Sequence, residues 1–275
     1  ENNRGKTMKE RTTLELTLNP EYIKDWGVWE ALRELIQNAK DADDIGYRMS
    51  MEYITHTKIP QLRIINEGTV IDRDTLLFGT TSKDEREDQR GQFGEGMKLA
   101  MLVLTRAGLT VRIRTGKEQW IPELGHSEAF NSELLKIKTS PVQYRNAIQM
   151  DVIGVSQKDW EVIHERCRFF NSKKLKSIDL GHNAILTDTD MAGSLFVKGI
   201  YVGRLPNKHF YGYDLWSVKL DRDRKLADPW DLKYEIKDVL GKAVSQDKIK
   251  TEEMFELLQN DDFEESKIVG DLSWS

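Results

Sequence analysis

The stretch Val28–Asp43 constrains this chain most, because its two faces ask for different surroundings. Val28, Ala31, Leu32, Leu35, Ala39 and Ala42 recur at helical spacing, which predicts an amphipathic helix with a stripe to bury. At 100° per residue, Glu34, Asn38 and Asp41 fall within about 60° of one another, beside that stripe. A helix laid on a sheet by its apolar stripe would hold these three along a rim rather than in open solvent. A second helix is expected from Gly96 to Ala107, directly after Gly91-Gln92-Phe93-Gly94-Glu95.

Strands are expected around these helices wherever β-branched and alternating residues gather. They are Glu10–Leu18, Met51–Ile54, Gln61–Ile65, Leu109–Thr115, Leu135–Lys138, Ile148–Val155, Ser194–Val202 and Trp216–Leu220. Asp74–Gly79 reads as a short helix or turn, and Gln157–Phe170 as a helix with Ser156 at its N-cap. Asp228-Pro229 opens another helix, with proline at the first position and Asp231 in the first turn. From Thr251 the chain is mostly acidic, with one short helix. Strands and helices do not alternate strictly, so a layered α+β fold is expected.

Composition removes several alternatives. The 275 residues carry a net charge of −5 with both signs interleaved, which argues against a general nucleic-acid binder. The single Cys167 cannot form an internal disulfide and suggests a reducing compartment. It is either a buried, inert thiol or one made reactive by Arg166 and Arg168. No run approaches the ~18 apolar residues of a membrane span, and no signal peptide is visible. A cytoplasmic protein without a membrane partner is therefore expected. Five histidines show no metal-ligand spacing, and no Ser-His-Asp or Cys-His arrangement stands out.

The polar row and the glycines suit phosphate chemistry. An Asn oxygen is a hard ligand for Mg²⁺, which keeps several waters and leans on substrate phosphates. A carboxylate one helical turn away can orient or deprotonate an attacking water. Gly91, Gly94 and Gly96 allow close backbone approach, and a helix starting at Gly96 would offer unpaired N–H groups to an anion. Lys98 would add a point charge in that first turn. Lys83, in Thr80-Thr81-Ser82-Lys83, would reach the same place from the charged run Lys83–Arg90, which suits a lid. Taken singly, each feature also has a plain reading as exposed polar surface or tight turns. The loop is neither the dinucleotide fingerprint nor a P-loop.

In this order the motifs resemble the GHKL ATPases: gyrase, the ninety-kilodalton heat-shock chaperone, histidine kinases and MutL. Glu34-xxx-Asn38-xx-Asp41-Ala42 resembles their N-box. Gly91-Gln92-Phe93-Gly94-Glu95-Gly96-Met97-Lys98 is similar to the chaperone's second glycine box and, with Thr80–Lys83, to MORC-type members. The resemblance spans about residues 30 to 105. It implies a Bergerat-type α/β sandwich over residues 1–172, with a mixed, mainly antiparallel sheet and helices on one face. A transducer-like α/β module would follow over 173–250, then an acidic tail over 251–275.

It further implies ATP and Mg²⁺ as cofactors, Glu34 as general base, Asn38 as the metal ligand and Gly94–Lys98 as the phosphate cradle. The first glycine box departs from the pattern. Where relatives carry Asp-x-Gly-x-Gly, this chain reads Asn66-Glu67-Gly68-Thr69-Val70. Asn66 keeps a carbonyl oxygen to accept from the adenine amino group but loses the charge. No threonine near Ile148 matches the one that relatives often offer to the base. Arg222, Arg224 or Lys225 would either reach the terminal phosphate or form a surface ion-pair cluster. The expected activity is slow Mg-dependent ATP hydrolysis, with lid closure over residues 79–94 switching association with a partner or a second copy. The alternative is a non-hydrolysing nucleotide-binding regulator, or an interaction protein using the same fold.

Overall fold

The computed structural model describes residues 11–76, 87–170, 175–220 and 229–270, without the side chains at 87–94, 229 and 270. The chain divides into two compact units, Glu1–Val162 and Ile163–Ser275. Both are mixed α+β.

The first unit holds one antiparallel sheet and two long helices. Its elements are β1 (Thr12–Glu15), α1 (Val28–Asp44), β2 (Met49–Ile54), β3 (Gln61–Glu67), α2 (Glu87–Arg106), β4 (Thr110–Ser127) and β5 (Ser132–Ile153). A 3-10 turn at Arg73–Leu76 precedes α2, and α3 (Gln157–Arg166) follows β5. The strand order is β1-β5-β3-β2, with β4 along the other edge of β5. One long hairpin, β4–β5, thus runs from Thr110 to Ile153. It absorbs the two separate strands expected at Leu135–Lys138 and Ile148–Val155, and it extends the one expected at Leu109–Thr115. Register breaks at Gly116, whose φ is +54°, let the hairpin bend in its middle.

Helices α1 and α2 pack on each other, α1 against β2 and β3 and α2 against β4. The apolar stripe of α1 is buried as expected, with Ala31, Leu35, Ile36 and Ala39 wholly enclosed beside Leu62, Ile64 and Met150 in the core. α1 starts where Glu30 reaches back to accept from the Gly27 N–H at 2.9 Å. It stops at Gly46 (φ +104°), where Gly46 N–H donates to Asp43 and Tyr47 N–H to Ala42, both at 2.9 Å. This is a Schellman closure, and it aims the chain from α1 into β2. Arg106, last on α2, donates to the carbonyls of Pro20, Tyr22, Ile23 and Trp26 at 2.7–3.2 Å, fastening the segment that leads into α1. On the sheet's other face Asp151 accepts from Arg63 at 2.7 Å, from Arg112 at 3.0 Å and from Gln149 at 2.9 Å.

The second unit is a mixed sheet with helices: β6 (Ser177–Leu180), β7 (Asn183–Leu186), β8 (Ser194–Val197), β9 (Ile200–Arg204), β10 (Gly212–Leu215), α4 (Pro229–Ser245), α5 (Thr251–Leu258) and α6 (Glu264–Gly270). Its order is β6-β7-β10-β8-β9, with only β10–β8 parallel. Ser194–Val202, expected as one strand, is a hairpin. Lys198 (φ +51°) and Gly199 (φ +79°) form a two-residue turn of left-handed residues, the kind that matches strand twist. The strand expected at Trp216–Leu220 is not formed: β10 ends at Leu215, and within that span only Leu220 makes a lone bridge. The stretch from Thr251 carries two helices rather than one, and Met254, Leu257, Ile268 and Val269 are part of the core. Glu265 of α6 is fully buried and accepts from Tyr213 Oη at 2.7 Å and from the Phe210 N–H at 3.1 Å. Among the described residues, no helix is long and apolar enough to cross a membrane.

Candidate functional site

Glu34 and Asn38 lie one turn apart on α1 and are 3% and 5% exposed, so these two members of the polar row are enclosed rather than solvated. What encloses it is α2. A Cβ built on Gly96 would stand 2.6 Å from Glu34 Oε2 and 3.8 Å from Asn38 Nδ2. The glycine there matters through proximity, not backbone angle, because a Cβ would push the Glu34 carboxylate out of its place. Two motifs about sixty positions apart in sequence are thus in contact.

Asn38 Nδ2 is buried without a hydrogen-bond partner. A half-turn of the amide exchanges it for the oxygen, the harder ligand. Arg33 places a guanidinium nitrogen 3.8 Å from Glu34 Oε1, a neighbour that sequence reasoning missed. Its only linear signal is adjacency, and adjacent helical residues do not normally face each other. Asp41 is half-buried and accepts from Gln37 Nε2 at 3.0 Å. Among the described residues, no three His, Cys, Asp or Glu side chains cluster as a metal cage. The donor set on α1 suits a cation that arrives with phosphate oxygens of its own.

The glycine box needs a correction. α2 begins at Glu87, nine residues before Gly96, so Gly91, Phe93, Gly94, Glu95, Gly96, Met97 and Lys98 all lie within the helix. The N–H groups at Gly94–Lys98 are therefore not at a helix terminus, and the terminal unpaired donors fall at the start of α2 instead. The residue types at 87–90 favour a helix, and continuing it through three glycines costs only about 1 kcal/mol each. Lys98 is 2% exposed. Burial lowers the pKa of its ammonium, and Glu95 partly offsets this. Lys83 lies outside the described residues, as do Arg222, Arg224 and Lys225.

At the other end, Asn66 is fully buried on β3. Its Nδ2 donates to the carbonyls of Ala39 at 2.9 Å and Tyr47 at 3.0 Å, while its Oδ1 has no hydrogen-bond partner. Gly68 adopts φ +88° and donates its N–H to Asn146 at 2.9 Å, with the Tyr47 ring 3.7 Å from where a Cβ would be. A left-handed φ of this kind is why glycine is retained there. Asn66 pairs across the sheet with Ile148, and Ile148 pairs with Thr115. The three share one row and one face. Thr115 thus stands beside Ile148, where only the β4–β5 register brings it. Its hydroxyl accepts from Ile71 N–H at 2.9 Å and donates to Ile71 C=O at 3.0 Å, pinning the segment after Gly68.

The chain matches no protein-family model, and no curated protein matches its sequence.

Proposed function

We propose that residues 1–162 form a Bergerat-type nucleotide-binding unit of the GHKL kind, which binds Mg-ATP and hydrolyses it slowly. The observation that carries the reading is the contact of Gly96 with Glu34 and Asn38, two buried polar side chains on α1. A carboxylate and an amide enclosed so closely against a helix backbone are an expensive arrangement for mere surface polarity. The orphaned Asn38 Nδ2 and Asn66 Oδ1 add to it, because buried polar atoms without partners are rare and ask for a ligand or an ordered water.

In this reading Glu34 accepts a proton from the attacking water, and Asn38 holds the metal through its amide oxygen. Mg²⁺, when bound, neutralises charge on the terminal phosphates. Lys98, with Lys83 from the preceding segment, contributes positive charge to the same phosphates. Gly91, Phe93, Gly94, Glu95 and Met97 lie on the turns of α2 beside the phosphates, and Asp41 and Gly68 border the site. Nucleotide-dependent rearrangement of residues 79–94 would switch association with a protein partner or a second copy.

A phosphate-release assay on the wild type and Glu34→Ala tests the hydrolytic step. Turnover that requires Mg²⁺ and is lost in the variant is expected. The second reading is a non-hydrolysing regulator, favoured by how closely α2 approaches the Glu34 carboxylate. Calorimetry showing tight Mg-ATP binding without turnover would select it. Asn38→Ala should abolish the Mg²⁺ dependence of binding, and unchanged behaviour would remove the metal role.

A further inference from the structure

We infer that Arg73 is a positioning residue for the candidate site: held by a break in β4, it fixes the turn on which α2 rests and so how closely Gly96 stands against Glu34. The inference rests on the nucleotide-binding reading above. In an unbroken strand, residues three apart face opposite sides of the sheet. The register shifts on both sides of Gly116 cancel that alternation. Buried positions in β4 run through Val111, Ile113 and Thr115 before the break, and through Glu118 and Trp120 after it. The bulge thereby turns Thr115 and Glu118 the same way. The segment after Gly68 runs along both. Val70 Cγ1 is 4.0 Å from a Cβ built on Gly116, Ile71 is clasped by the Thr115 hydroxyl, and Arg73 Nε donates to Glu118 Oε2 at 2.9 Å.

Arg73 reaches two strands at once. Its Nη2 donates to Thr139 Oγ1 on β5 at 3.0 Å. That hydroxyl gives its proton to Thr12 O at 3.2 Å, which leaves it to accept from Arg73 and from the Thr12 hydroxyl. Glu118 Oε2 also accepts from Trp120 Nε1 at 3.0 Å. Glu118, Trp120 and Thr139 are buried, while Arg73 is partly exposed. Burying a carboxylate makes such a pair a weak source of stability. What the network supplies is a fixed place for the turn. The turn Arg73–Leu76 packs on α2, with Leu76 enclosed, and α2 carries Gly96 to the Glu34 carboxylate. Arg73 thus acts on the site through two packed elements rather than on the substrate itself.

Two measurements test this. By phosphate release and calorimetry on fully folded protein, Arg73→Ala should lower kcat about tenfold or more while Mg-ATP affinity stays within about threefold. Arg73→Lys, which can reach only one of the two acceptors, should recover part of the loss. An affinity loss that matches the loss in kcat, or no loss in either, would overturn the positioning role. Without nucleotide, amide exchange in Arg73→Ala should quicken at residues 96–100 by about tenfold or more relative to Met150 and Val152 at the sheet centre. Equal quickening at both places would mean lost stability alone, and no quickening would mean that α2 does not rest on Arg73. Either result would overturn the inference. Should the alanine variant not fold, Arg73→Lys carries both measurements, with smaller changes of the same kind. If the wild type neither binds nor hydrolyses ATP, the proposed function falls, and exchange at residues 96–100 still decides whether Arg73 sets the place of α2.

Discussion

Replacing Gly96 by alanine should separate stability from activity. The new Cβ would lie 2.6 Å from Glu34 Oε2, and ordinary van der Waals contact begins at 3.4 Å, so the carboxylate oxygen must retreat by about 0.8 Å. The obstructing atom is the end of a flexible side chain, so the retreat costs about 0.5–1.5 kcal/mol of rotamer strain. Against this, alanine in place of glycine inside α2 gains about 1 kcal/mol of helix propensity. The two nearly cancel, and urea unfolding should find the variant within about 1 kcal/mol of the wild type. Activity has no such compensation. A misplacement approaching 1 Å at a reacting group costs on the order of a hundredfold, so phosphate release should fall by one to two orders of magnitude in a fully folded protein. Undiminished turnover would show that Glu34 is not the base. A stability loss above about 3 kcal/mol would show that the α1–α2 contact is rigid packing rather than a site edge.

Other parts of the molecule give sharper stability tests. Asp151→Asn should cost about 2–3 kcal/mol, because the shared charge is lost and one of the two oxygens that accept from Arg63, Arg112 and Gln149 becomes a donor. Burial opposes the Asp151 charge, but the Arg63, Gln149 and Arg112 bonds overcome it and hold the carboxyl below its usual range. Its contribution is therefore present above the unfolded value near 3.9 and lost as pH falls through the lower folded value. Acid unfolding of the wild type should be correspondingly steeper than that of the variant. Arg106→Ala should lose about 2–3 kcal/mol in urea titrations by freeing four carbonyls, and lysine, lacking the planar fork, should recover less than half. Cys167 is fully buried, and burial pushes its thiol pKa up to about 12. A thiol reagent at pH 8 should label it only after denaturation, and rapid native labelling would contradict that burial.

The helices and the polar row were legible because their signals are local. Val28–Asp44 differs by one residue from the expected Val28–Asp43 helix, and Ser156 caps α3 through its hydroxyl and the Asp159 N–H at 3.1 Å. What the sequence hid is set across distance. The β4–β5 hairpin passes through Gly116 and Pro122, residues that read as breaks when no partner strand is in view. The α2 start was misjudged because three glycines weigh heavily in a window but lightly in a helix held by α1 and β4. At Asn66 the residue type was visible in sequence, but the two carbonyls that orient it come from residues 19 and 27 positions away.

The pairing of β1 with β5 has a consequence for how the chain is made. Thr12 meets Thr139, 127 positions further along the chain, so the first strand has no partner until the far arm of the hairpin leaves the ribosome. At typical synthesis rates that delay is roughly 6 to 25 s. During it the apolar stripe of α1 has the β2–β3 hairpin and then α2 to lie on, but no central strand joins them, and a lone pair of strands is marginal. The unit that carries the candidate site must therefore assemble late and nearly all at once, when β5 supplies the centre of the sheet.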